Sequence, residues 1–118
     1  MARTKLSVHS MNEKNMFSAF TTLTEAVTAD GAEFEMSERD DKYLILIQNG
    51  ATSAGTVTVK AGNGLQGVAD LTETVAGSGY ACVALESGHF KNVAGDDKGK
   101  VILTGSSTSI KLAVFKLP

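Results

Sequence analysis

The chain has one cysteine, one proline, no dense basic block and no long apolar run among its 118 residues. A lone Cys82 excludes an internal disulfide and any multi-cysteine metal site, so stability must come from packing or from partners. Eleven basic against thirteen acidic residues give a formal charge of −2 without a basic cluster. That leaves no electrostatic footprint for nucleic acid or anionic lipid, and neither is an expected partner. No stretch approaches the roughly 20 apolar residues that cross a bilayer, and the opening MARTKLSVHSMNEK lacks the apolar centre of a secretory signal. The expectation is a soluble product made in the cytoplasm. The length suits one compact domain.

With proline only at Pro118, twelve glycines do the punctuating, and Thr, Ser and Val are abundant between them. Apolar runs recur at about ten-residue intervals, the spacing of a sandwich or barrel. They are Phe34 to Met36, Tyr43 to Gln48, Thr56 to Lys60, Leu71 to Val75, Tyr80 to Leu85, Val101 to Thr104 and Ile110 to Leu117. Turn-forming clusters separate them, including Asn49-Gly50, Gly62-Asn63-Gly64, Gly77-Ser78-Gly79 and Gly95-Asp96-Asp97. The predicted fold is all-β, a single-domain antiparallel β-sandwich over residues 29–118 preceded by an amino-terminal arm or packing segment, residues 1–28.

Alternation within the runs assigns faces. Val57 and Val59 share one face while Thr56, Thr58 and Lys60 share the other, the pattern of a strand wet on one side. Tyr43 to Ile47 and Ile110 to Leu117 are apolar on both faces, which calls for a covering segment or a subunit interface. In the arm, Met16, Phe20, Leu23 and Val27 would align on one helical face with Asn15 as N-cap, whereas the β-branched content of residues 21–28 suits an extended segment ending in a strand. Both readings stay open. Arg3, Lys5 and Lys14 make the first fourteen residues mildly basic.

One motif points towards chemistry. Gly62, Gly64 and Gly67 spell G-x-G-x-x-G after an alternating run, and Glu86 closes a later run at about the spacing of a dinucleotide fingerprint. That reading needs a helix from about Leu65 to Ala76, yet Asp70 to Val75 is rich in β-branched residues, and too little chain follows Glu86 for a second βαβ half. The glycines read better as corners of a sheet, and no cofactor is expected. His9 and His89 lie beside polar turn residues as ordinary surface histidines, Asp40-Asp41 and Asp96-Asp97 read as solvated turn pairs, and Cys82 reads as a small buried hydrophobe. No catalytic or metal-binding residues are assigned.

Five ordered segments carry a resemblance: ADGAEFEMSERDDKYLILIQNG, GTVTVKAGNGLQGVADLTETV, ACVALESGHFKNV, KGKVILTG and SIKLAVFKLP, covering about Ala29 to Pro118. The set resembles a family of small tailed-bacteriophage virion proteins commonly encoded beside the major capsid protein. The resemblance implies a non-enzymatic β-sandwich that decorates or cements the outer surface of a phage head. Its partners would be the major capsid protein and itself, as a homotrimer, and its location the virion surface after assembly in the host cytoplasm. Candidate capsid or subunit contacts are Arg3, Lys5 and Met16 in the arm and Phe115 and Leu117 in the last strand. A tail or fibre adhesive module is the main alternative, and a small nucleotide-binding enzyme using residues 62–67 a remote one.

Overall fold

In the computed structural model the described residues are 3–11, 13–15, 17, 25–26 and 30–118. They form two sheets packed face to face. One sheet has the order β1-β4-β9-β6-β7, built from Thr4–Lys5, Ala32–Glu35, Lys100–Gly105, Gly55–Val59 and Leu71–Val75. The other runs β2-β10-β5-β8, built from Val8–Ser10, Ile110–Lys116, Tyr43–Asn49 and Tyr80–Val83, with β3 (Glu25–Ala26) also paired to β10. Each apolar run predicted from residue 34 onward becomes a strand. The chain is an all-β sandwich.

The alternation expected of β6 holds, with Val57 and Val59 buried and the threonines between them half-exposed. Both strands that are apolar on two faces are central. β5 and β10 pair over seven residues, from Ile110 opposite Asn49 to Lys116 opposite Tyr43. Ile45, Ile47, Ile110, Leu112 and Val114 face the core with Phe34, Val101 and Leu103 of the opposite sheet, all almost fully buried. Fully burying each such side chain stabilises the fold by about 1.5–3 kcal/mol. On the outer face of the same strands Ala113 and Phe115 are buried and Leu44 and Leu46 half-buried.

The arm adds two parallel pairs to an otherwise antiparallel scheme. β1 runs parallel to β4, and β2 runs parallel to β10. No hairpin joins these partners, so turn geometry does not impose an antiparallel direction on them. Between β1 and β2, Leu6 enters the core and its N–H donates to the Glu33 carbonyl at 2.8 Å. The seven residues from Thr4 to Ser10 thus join both sheets along one side of the sandwich. Asn15 has φ 62°, unlike the extended backbone of an N-cap, and Glu25–Ala26 pairs as strand with β10. The rest of the proposed helical face, Met16, Phe20, Leu23 and Val27, lies outside the described residues.

Candidate functional site

Three long loops gather at one end of the sandwich: residues 36–42 and 84–99, which cross between the sheets, and 60–70, which joins β6 to β7 within one sheet. Asn63 pins two of them, its Nδ2 donating to the Ala94 carbonyl at 2.9 Å and its Oδ1 accepting from the Val93 N–H at 2.7 Å. The Gly62 N–H donates to the His89 carbonyl at 2.9 Å. The third loop is attached by Asp40, whose carboxylate accepts from the Ser87 N–H at 2.8 Å. That hydrogen bond holds the Asp40 carboxyl below its ordinary range. Asp70 closes the 60–70 loop by accepting from the Ala61 N–H at 2.7 Å and Lys60 Nζ at 3.1 Å, and the Ala61 bond, followed by Lys60, lowers its pKa.

These polar ties fix the backbone and leave apolar side chains outside. Leu65 is fully exposed, Val68 is 86% exposed, and Val93 and Leu71 are about half exposed. Leu65 and Val68 come from the loop that packs on the one carrying Val93. Large apolar groups held in water by an ordered loop are what a docking surface offers.

The glycine motif lies within this loop cluster. Residues 71–75 form strand β7, so no helix follows the glycines and no helix N-terminus faces them. What the glycines provide is close backbone approach. A Cβ at Gly62 would stand 2.5 Å from the Lys91 carbonyl oxygen, and one at Gly67 would overlap the Gly62 carbonyl. Glu86 precedes a single helical turn, α1 (Ser87–Phe90).

The residues singled out from sequence are scattered. Arg3 is engaged within the chain, donating to Asp97 at 2.9 and 3.3 Å and to Glu33 at 3.2 Å. Lys100 reaches the other Glu33 oxygen at 3.0 Å. Burial pushes the Glu33 carboxyl up, but the hydrogen bonds from Lys100 and Arg3 outweigh it and hold the group below its ordinary range. Lys5 is exposed beside this cluster. Met16 lies outside the described residues. Phe115 is 9% exposed and stacks on His9 at 5.3 Å between ring centroids, while Leu117 is about one-third exposed.

Three expectations need correction. Cys82 is exposed, because Ala81 and Val83 take the core-facing positions of β8 and alternation turns Cys82 outward. Asp40 and Asp97 are structural acceptors, for Ser87 and Arg3 respectively, and so are more than solvated turn residues. Asn49, expected in a turn, ends β5 at 1% exposure. Its Nδ2 donates to the carbonyls of Ser53 (2.9 Å) and Val75 (3.1 Å), and its Oδ1 accepts from the Ala51 N–H (3.0 Å).

A second feature lies along the side of the sandwich away from the arm. β7 and β8 end their sheets there, and between them opens a cleft of about 90 Å³ lined by the buried Ile47, Val57 and Val59 and by the more exposed Leu71, Glu73, Ala81, Cys82 and Val83. No protein-family model matches this chain, and no curated protein or solved structure matches it either.

Proposed function

We propose that this chain is a structural virion protein that binds the outer surface of a bacteriophage capsid and stabilises the shell. The head assignment rests on the ordered sequence segments from Ala29 to Pro118. The observation that favours adhesion is the ordered loop end of the sandwich, where Leu65, Val68 and Val93 project into solvent. Burying Leu65 and Val68 against a partner would contribute about 1.5–3 kcal/mol each before the costs of association. A ligand of the assembled lattice alone lowers the free energy of that state by mass action, and repetition over the shell multiplies a modest contact.

The test uses undecorated heads of a tailed phage whose genome encodes the chain. Purified protein is expected to co-sediment with the heads and raise their resistance to heat or chelator. The double variant Leu65→Asp/Val68→Asp, altered at two exposed positions, is expected to keep the wild-type circular dichroism and lose head binding. Wild-type protein that neither co-sediments nor protects would overturn the proposal.

A further inference from the structure

Sheet edges are where a β-protein is open to pairing with another chain, and folded proteins usually block them with charge, proline or bulges. The two edges away from the arm differ in this respect. β7 carries Glu73 on its core-facing side, opposite Val57, so two copies of β7 joined about a central two-fold axis would bring Glu73 against Glu73. β8 carries no such guard. The ten residues from Ala76 to Leu85, AGSGYACVAL, contain neither a charge nor a proline.

We propose that β8 is a docking edge for a second copy of this chain, which pairs with it antiparallel about a two-fold axis through Cys82. The ladder to β5 sets the register. The Asn49 N–H donates to the Gly79 carbonyl at 2.9 Å, and antiparallel pairs alternate, so the backbone groups of Ala81 and Val83 point to β5 while those of Tyr80 and Cys82 point to the open edge. A two-fold axis perpendicular to the sheet must keep core-facing residues beside core-facing ones, and one through Cys82 does so. Ala81 then lies opposite the partner's Val83, continuing the apolar wall of the cleft. Tyr80, 70% exposed, lies opposite the partner's Ala84, so large meets small on the outer face. An isologous edge must complement itself, and an uncharged strand meets its copy without like-charge repulsion.

The register has a chemical signature. It places Cys82 opposite Cys82 of the partner subunit as a hydrogen-bonded pair with Cα atoms about 5.5 Å apart, within the roughly 4.4–6.8 Å that a disulfide spans. The inference does not rest on the capsid reading, because it concerns the free protein in solution. Sedimentation velocity of the full chain between about 5 and 300 µM, under reducing conditions, is expected to show a dimer. Cys82→Ser should remain dimeric, and Cys82→Lys should sediment as a monomer with unchanged circular dichroism, since residue 82 is exposed. Diamide, which accepts the two thiol hydrogens, should convert wild-type protein to a covalent dimer absent from Cys82→Ser. A monomer at every concentration, a trimer, a dimer that Cys82→Lys leaves intact, or a dimer that diamide does not link would each overturn the proposal.

Discussion

Replacing Asn49 tests how the two sheets are held in register at the end opposite the exposed loops. Its side chain is enclosed and makes bonds to Ser53, Val75 and Ala51, so it links the end of β5 to the crossing that starts β6 and to the end of β7. Asn49→Leu keeps the branching of the side chain, adds bulk, and removes these three bonds together with a longer one to the Ala76 carbonyl at 3.4 Å. At about 1 kcal/mol net for each bond, the loss is about 2–4 kcal/mol. Asn49→Asp is more informative because it keeps the shape and reverses the donor. An ionised carboxylate would face the Ser53 and Val75 carbonyls in a dry site, and burial would raise its pKa above the unfolded value of about 3.9. The folded state then binds the proton more tightly than the unfolded state, so the penalty is smallest below about pH 4 and grows until the pH passes the folded-state pKa. Each unit of pKa elevation adds about 1.4 kcal/mol at neutral pH. Urea unfolding followed by circular dichroism, from pH 3 to pH 8, should show Asn49→Asp less stable than Asn49→Leu at neutral pH and at least equal to it in acid. A loss below about 0.5 kcal/mol for Asn49→Leu, or a pH-independent penalty for Asn49→Asp, would refute the argument.

Two further outcomes follow from the same geometry. Because the folded pKa of Glu33 lies below its unfolded value, the Arg3–Glu33–Lys100 cluster stabilises the fold above the unfolded value and loses that contribution as the pH falls through the folded one. Glu33→Gln should therefore cost about 1–2 kcal/mol at pH 7, with Arg3 and Lys100 partly rehydrated, and the gap to wild type should close in acid unfolding below about pH 4. Gly67→Ala should destabilise the chain by about 1–3 kcal/mol in calorimetry, since its methyl group meets the Gly62 backbone rather than a movable side chain; a neutral result would show that the 60–70 loop yields freely.

Much of the sheet structure is legible in the sequence because it is written in local alternation. The faces of Val57 and Val59, the central place of β5 and β10, and the strand at Leu71–Val75 all follow from patterns of five to seven residues. β8 shows where this fails. Tyr80-Ala81-Cys82-Val83 is apolar at every position, so only its pairing with β5 decides that Cys82 turns outward. Strands of two or three residues, like those of the arm, carry no periodicity, which hides the parallel edges they make with β4 and β10. The loop surface is hidden for another reason. Leu65 lies between Gly64 and Gly67 and Val68 follows Gly67, a spacing that suggests a turn, and their exposure follows from contacts with residues 88–94, far along the chain. The cofactor fingerprint misleads because close backbone packing and phosphate binding both require glycine.

Hydrogen–deuterium exchange of the protein free and bound to undecorated phage heads tests the adhesive account most directly, because it reads which end of the sandwich the shell covers. New protection is expected in residues 61–70 and 88–94, with exchange in the opposite loops, 50–54 and 106–109, unchanged. Protection confined to those opposite loops, or none anywhere at saturating heads, would contradict it.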